Sequence, residues 1–559
     1  MSGNELVRID TNILPKAKLI IVFCGLAFAL LISFIDQNSV GVALPTIGKD
    51  LNSATTIAWA GTSSLIANTV FQVLYGRISD IVGRKVVFLS AVGLLALGDL
   101  LCGFAKTGPQ LYAFRAISGV GTGGISALAM IIVSDVVTLE NRGKYQGILG
   151  SCIGLGNTIG PFLAAAFVEK STWRGLFWLI CPMAVLAGGM VALTLPPSKM
   201  SHNDLRTKFK AIDYYGVISS SAAILLLLIP ISGGGVYFEW DSPMVISMVA
   251  LGGISMVVFI IVEWKIAAMP MMPLHLFKIP AVSAIVAQNF LFGIVYYSHL
   301  YYLPIYYQNV RQFSPLLSAA LTVPFILGQA TFSVLSGQYI SRTKRYGEVL
   351  WNGYASWTLG SGLLLLLNRT TPKWEIVVFL FIEGTGVGGV FQPCMIAIQA
   401  HSRKADRAVV ISMRNFARAL GGSLGLALSS AVFSNVLKKS LNSVSTALPP
   451  GYKSEVLASI LKVPDLTKLT SIQKNEVLDA YMDAAKGVIT LWAPLMGVCL
   501  VLCVLIKDRG LQRAEEKQQE HEVSGSENET AGEIDLESHS QKPRGIDEKQ
   551  STGFRGSSA

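Results

Sequence analysis

Apolar runs of about 20 residues alternate with short polar gaps along almost the whole chain. At about 1.5 Å per residue such a run covers a hydrocarbon core of about 30 Å, and a helix bonds all of its own backbone there. The runs predict helices at roughly 19–44, 55–75, 86–105, 110–133, 146–168, 175–195, 213–232, 243–263, 281–304, 314–335, 349–367, 374–398, 408–434 and 486–506, which makes about fourteen spans. Two connections are longer than the rest: 196–212, which is basic, and 435–485. From Lys507 the chain turns polar and rich in Ser, Glu and Gln, which predicts a disordered tail over 507–559.

Composition agrees with that pattern. Of 559 residues 52% are apolar and only 14% charged, with a mean hydropathy of +0.52, so the expected fold class is all-α and integral to a membrane. The first run outlasts a signal h-region and lacks an A-x-A cleavage site, so it is read as a retained span after a polar N-terminus, 1–18. About 17 Lys and Arg fall in short loops on the side of that N-terminus against about 7 opposite, which predicts that both termini are cytoplasmic. The same clustering at helix ends accounts for the formal charge of +10 without a nucleic-acid partner. All seven cysteines lie in apolar runs, which argues against a disulfide framework or a zinc site, and neither a metal nor a cofactor is expected. Asn368 heads a glycosylation sequon with Arg369 and Thr370, on the side opposite the termini.

A faint repeat runs through the chain. "RAISGVGTGG" (115–124) resembles "FIEGTGVGGV" (381–390), aligning Gly119, Gly121, Gly123 and Gly124 with Gly384, Gly386, Gly388 and Gly389. At nearly the same offset, Gly76-Arg77 precedes the third run as Gly337-Gln338 precedes the eleventh. Two homologous six-helix bundles are expected, at 19–195 and 281–506, with a two-helix insert at 213–263 between them. Secondary transporters are commonly built from such repeats.

The gap "VLYGRISDIVGRKVVF" (73–88) crowds Arg77, Asp80, Arg84 and Lys85 between two apolar runs. Basic residues at a helix end are ordinary topology anchors, but that rule has no use for Asp80. One carboxylate among three cations can pair locally or dock on the positive N-terminus of another helix, and Gly76 and Gly83 allow close approach. The gap therefore reads as a conformational latch that breaks when two halves rock apart.

Its pattern G-x-x-x-D-x-x-G-R-K resembles the signature loop of the major facilitator superfamily. "SFIDQNSVGVALPTIGKDL" resembles the first-span pattern of the fungal fourteen-span drug:proton antiporters, and "RAISGVGTGG" their R-x-x-x-G-x-G-x-G-G motif. "GILGSCIGLGNTIGP" resembles their fifth-span motif, with Gly147, Gly156, Gly160 and Pro161 in place and Ala164-Ala165 where the motif closes on Gly-Gly. "ANTVFQVLYGRISDIVGRK" is similar to the same stretch in yeast vacuolar basic amino-acid transporters. The resemblance covers about residues 19–506 and implies the major facilitator fold, alternating access, and a fifth helix that seals the interface between the halves. Small residues four apart let that helix cross its neighbours tightly, and Pro161 bends it.

Ionisable groups inside spans cost several kcal/mol and are functional candidates by default. The spans hold Asp36, Asp99, Arg115, Glu383 and Arg418. Counted by helical rise, the first four lie roughly 9–13 Å in from the non-cytoplasmic side and share one layer. Asp36 and Arg115 are expected to pair as the proton-coupling site, the carboxylate's proton affinity changing as the cavity opens to one side and then the other. Candidates for the substrate cavity are Asp99, Glu383, Gln72, Asn157, Gln288, Tyr297 and Arg418. Asp99 sits on a helix that is often peripheral in this fold, and Arg418, one turn from Arg414 on the same face, can snorkel toward the cytoplasm. In "YYSHLYYLPIYYQ" (296–308) most tyrosines read as an interfacial belt and His299 as packing, leaving Tyr297 as the contact candidate.

The expected function is proton-coupled antiport. A monomer in the plasma or vacuolar membrane would export small organic solutes (drugs, toxins or basic amino acids), with its substrate, protons and membrane lipid as partners. Carboxylates outnumber Arg in the proposed layer, which favours cationic solutes. Two alternatives stand: a siderophore or nutrient importer of the same fold, against which the antiporter-type fifth span argues, and a non-transporting membrane sensor, for which the tail offers no docking motif. No P-loop, metal cluster or nucleophile elbow appears, so an enzyme is not expected.

Overall fold

The computed structural model describes residues 16–53, 56–57, 59–137, 139–196, 214–233, 241–266, 272, 274–403, 406–444, 448–453, 456, 464, 466–467, 469–508 and 510. The expectations for the N-terminus, the 196–212 connection and the tail fall, apart from their edges, outside the described residues. What is described is helical throughout. The first half contains α1 (Lys16–Asp50), α2 (Trp59–Val82), α3 (Arg84–Gly103), α4 (Gly108–Val136), α5 (Leu139–Lys170) and α6 (Trp173–Thr194). Next come α7 (Tyr214–Gly233) and α8 (Pro243–Lys265). The second half contains α9 (Pro280–Ile305), α10 (Pro315–Thr343), α11 (Gly347–Leu364), α12 (Lys373–Phe391), α13 (Pro393–Ala400), α14 (Arg407–Asn442), α15 (Ser471–Ile489) and α16 (Trp492–Leu502).

Among the described residues, 12 helices are long and apolar enough to cross a membrane. α2, of 24 residues, and α11, of 18, are counted by the fourteen-run reading but are not among those twelve. They are packed against α4 and α12 within the halves. Several helices outrun the apolar runs. α14 continues to Asn442 and α15 starts at Ser471, so helix enters 435–485 from both ends. Those turns are polar on one side and covered by protein on the other, as where Phe433 meets Tyr481 with ring centroids 6.2 Å apart, and hydropathy alone leaves such turns out.

The repeat in the sequence is a repeat in packing. α4 lies against both α2 and α3, and α12 against both α10 and α11. At matching positions any side chain would collide with the neighbouring backbone: Gly119 on Ser64 and Gly384 on Phe325, Gly121 on Leu95 and Gly386 on Trp357, Gly123 on Asn68 and Gly388 on Gln329. Glycine lets these helices touch where larger residues would hold them apart. α1 pairs with α5 as α9 pairs with α14. The halves meet along α5–α10 and α2–α14, and α7 packs on α2 and α14 with α8 outside it.

Candidate functional site

The latch marks one end of the molecule. Asp80 pairs with Arg84 at 2.5 Å, and Arg84 Nε reaches Asp135 at the end of α4 at 3.0 Å. Arg84 also donates to Ser79 Oγ and, at 3.4 Å, to the Gly76 carbonyl. Gly83 starts α3 at φ 102, a left-handed conformation that other residues adopt at a cost. Gly76 abuts Ala408 and Ser412 in the first turns of α14, and since α2 and α14 run antiparallel, Asp80 lies toward the positive start of α14. Lys85 is half-buried, and the Arg77 side chain lies outside the described residues.

From the latch end to mid-depth the halves are tied together. Gly143 and Gly147 of α5 press on Gly337 and Ser333 of α10. Ser333 Oγ donates to the Gly147 carbonyl at 2.9 Å, Ser151 Oγ to the Ala330 carbonyl at 2.8 Å, and Arg142 Nη1 to Gln399 Oε1 at 3.0 Å. At mid-depth Asn38 donates to Asn157 Oδ1 at 2.7 Å and Asn157 to the Tyr296 hydroxyl at 2.8 Å, while Tyr296 donates to Gln329 Oε1 at 3.3 Å. Asn157, a substrate-cavity candidate, therefore bridges the halves through Tyr296, while Tyr297, the tyrosine expected to contact substrate, is half-buried against Gly422. Gly156 and Gly160 hold α5 on α1, and Pro161 lies inside α5.

In the first half the structure brings together Asp36, Asp99 and Arg115, none more than 1% exposed. Gly98 sits on the Ser118 backbone, which draws α3 onto α4 and sets Asp99 beside Arg115, one turn from Ser118. Arg115 Nη1 lies 2.5 Å from Asp36 Oδ1 and 3.5 Å from Asp99 Oδ1, and Nη2 donates to Ser64 Oγ at 3.3 Å. Asp36 Oδ2, Asp99 Oδ2 and Arg115 Nε are sealed without partners. The expected Asp36–Arg115 pair is present, and Asp99 joins it as a third member from the inner face of α3, whose outer face, with Val86 and Leu97, is exposed.

In the second half Glu383 does not face an open cavity. It is fully buried, accepts from Trp357 Nε1 at 3.2 Å and Ser361 Oγ at 3.3 Å, and lies 3.0 Å from His299 Nδ1. His299 is thus more than packing; it stacks on Phe325 with centroids 4.2 Å apart and opposes the acid. Gln288 donates to the Cys499 carbonyl at 2.8 Å, a bond between helices and not a free cavity group. Gln72 is buried with Oε1 unpartnered. Arg418 does not snorkel: it is 5% exposed, with its guanidinium 4.9 Å from the centre of the Phe391 ring. Asn368 is exposed, its Oδ1 accepting from the Thr370 amide and hydroxyl at 2.8 Å each.

Sequence reasoning missed His299, Arg414 and Tyr296. One cue was available for the second cluster: Gly98-Asp99 repeats as Gly360-Ser361, and Ser118 as Glu383, so the two acids sit on opposite members of one helix pair.

Comparison with known proteins agrees with this architecture. The family model described as Major Facilitator Superfamily matches residues 26–426. Citrate exporter 1 of Yarrowia lipolytica is 46% identical over 98% of this chain and 81% of its own length. The MFS-type transporter clz4 of Cochliobolus lunatus is 39% identical, over 90% and 88%. The efflux pump dotC of Dothistroma septosporum strain NZE10 is 31% identical, over 76% and 73%. Among solved structures, the proton:xylose symporter XylE superposes with a TM-score of 0.56 at 13% identity, covering 90% of this chain and 99% of that one.

Proposed function

The chain belongs to the major facilitator superfamily of membrane transporters, and from that premise we propose that it is a proton-coupled antiporter exporting small organic solutes by alternating access. The observation that carries the reading is the sealed cluster in which Asp36 and Asp99 share Arg115. With both acids ionised it holds one negative charge in excess, and an uncompensated buried charge costs several kcal/mol. One proton on the acid pair balances it. Opening the layer to water on one side lets that proton leave, and closing it requires a proton again. The bond between the acids and Arg115 is therefore the coupling element, with Asp99 as much a part of it as Asp36.

Export is supported by the α5 motif and by relatives named as an exporter and an efflux pump. Organic acids are the first solutes to test, because the 46% identical relative is named for citrate. We place the latch end in the cytoplasm with both termini, the Asn368 sequon outside or in the vacuolar lumen, and a monomer as the working unit. The latch and the α5–α10 seam then form the cytoplasmic gate, closed in this conformation.

Proteoliposomes with an imposed pH gradient test the coupling. The wild-type protein is expected to drive labelled citrate uphill against its own gradient. Asp36→Asn and Asp99→Asn are expected to exchange solute only downhill. Uphill, gradient-dependent flux through the Asp36→Asn/Asp99→Asn double variant would sink the proposal.

A further inference from the structure

The two clusters described above each set acids against a base, whereas a third buried pair of charges has no acid at all. Arg414 and Arg418 lie one turn apart on α14, 1% and 5% exposed. Among the described residues no carboxylate reaches either of them. Arg414 donates to the Phe391 carbonyl and to Asn415 Oδ1 at 3.1 Å. Arg418 makes no hydrogen bond, and Nε of both side chains is sealed without a partner. Both guanidinium groups lie over the Phe391 ring, 5.1 and 4.9 Å from its centre. That ring attracts each of them but carries no net charge, so two positive charges remain uncompensated.

The place is as informative as the charge. Phe391 ends α12, and Pro393, which has no amide hydrogen, restarts the chain as α13. A proline kink of this kind leaves a backbone carbonyl without its helical partner and bends the helix. Gln392, at the break, is fully buried with both amide atoms unpartnered. Its side chain comes against Gly150 of α5, so this polar cluster sits on the seam between the halves, where rocking exposes and covers it.

We propose that Arg414 and Arg418 are the anion-recognition residues of the substrate site, taking a small organic di- or tricarboxylate whose charges supply the missing counter-ions. Each planar guanidinium matches a carboxylate with two parallel bonds, and the free Gln392 amide is left to bond a substrate hydroxyl or a third carboxylate. A monocarboxylate would balance only one of the two charges, and a cationic solute would add to the excess. The expectation of cationic solutes from a surplus of acids is thereby reversed: those acids are spoken for by Arg115 and His299. The proposal rests on the export reading for its physiological sense but not for its test.

Equilibrium binding to the purified full-length protein, followed by titration calorimetry with citrate and separately with tetraphenylphosphonium as a cationic probe, needs neither a proton gradient nor turnover. A failure of coupling at Asp36 and Asp99 is thus read separately in vesicles. The wild-type protein is expected to bind citrate and not the cation. Arg418→Gln is expected to weaken citrate binding by about tenfold or more, a loss typical of one charge-assisted bidentate contact, at a melting temperature no lower than that of the wild type. Arg418→Lys, which keeps the charge on a side chain without the fork, is expected to bind between the two. Should Arg414→Gln fail to fold, the Arg418 pair of variants carries the test alone. Equal citrate affinities for wild type, Arg418→Gln and Arg418→Lys, or binding of the cation in place of citrate, would overturn the proposal.

Discussion

The two halves share a skeleton and differ in what they put on it. In the first, Gly98 and Asp99 of α3 face Ser118 of α4; in the second, Gly360 and Ser361 of α11 face Glu383 of α12. The acid has changed helices, and its partner has changed from a guanidinium on α4 to an imidazole on α9. That difference decides what each cluster can do. Glu383 and His299 reach neutrality with one proton that either the acid or the imidazole can hold. Asp36, Asp99 and Arg115 also need one proton for neutrality, but the guanidinium is always charged, so only an acid can hold it. A duplicated backbone thus carries one cluster whose proton must sit on a carboxyl and one whose proton can sit on a base.

Removing the base from each cluster should separate them most strongly. Arg115→Gln strands two acids and is expected to cost about 3–5 kcal/mol, the range for breaking a buried pair. His299→Gln leaves one acid with two other donors and is expected to cost about 1–3 kcal/mol. Thermal unfolding of the purified variants compares them directly. Adding Asp36→Asn to Arg115→Gln should recover part of the loss; equal losses from Arg115→Gln and His299→Gln would erase the distinction drawn between the halves.

Next in size is the effect of Glu383→Gln. It keeps the shape and the Trp357 and Ser361 contacts, so a loss of about 1–3 kcal/mol is expected with gradient-driven transport retained. The contrast with Asp36→Asn in the same vesicles sharpens the comparison. If Glu383→Gln also uncouples flux from the pH gradient, both halves carry protons and the asymmetry is wrong.

How far these sites were legible follows from what a sequence records. Run length and glycine spacing are local to one helix, and they were enough for the helices and the repeat. Helical rise gives depth, which was enough to bring Asp36 to Arg115 when a family motif marked both. It does not give the direction a side chain takes around the helix axis. Asp99 was at the right depth and its partner was still not evident, and His299 and Glu383 lie on α9 and α12, with two helices between them in sequence. The bare arginines were hardest, because being unpaired is a property of all neighbours at once.

The glycine contacts offer a control in which the halves should agree. Gly121→Ala and Gly386→Ala each drive a methyl group into the backbone of the adjoining helix, at Leu95 and Trp357. Each is expected to cost about 1–3 kcal/mol, as overpacking does, and to cost nearly the same. A large disparity in melting temperature would mean that the shared skeleton is less shared than its contacts imply.

The smallest effect lies at the end of the molecule opposite the latch, where the halves close a corner by different means. In the first half Asp50, beyond the apolar part of α1, accepts from Arg174 at 2.7 Å and from Trp173 Nε1 at 3.0 Å, tying α1 to the start of α6. In the second half Arg311 donates to the Thr371 carbonyl at 2.6 Å, an acceptor that does not titrate. The Arg174 bond, and after it the Trp173 bond, hold the Asp50 carboxyl below its ordinary value of 3.8. A carboxyl so depressed adds stability above its unfolded value and loses it as pH falls through the folded one. Asp50 is 46% exposed, so the amount is small. Asp50→Asn should therefore lower the melting temperature slightly at pH 7 and by less as the pH falls below the ordinary value of 3.8, while Arg311→Gln lowers it by the same amount throughout. A penalty for Asp50→Asn that grows as the pH falls would reverse the sign and remove the acid from its place in the corner.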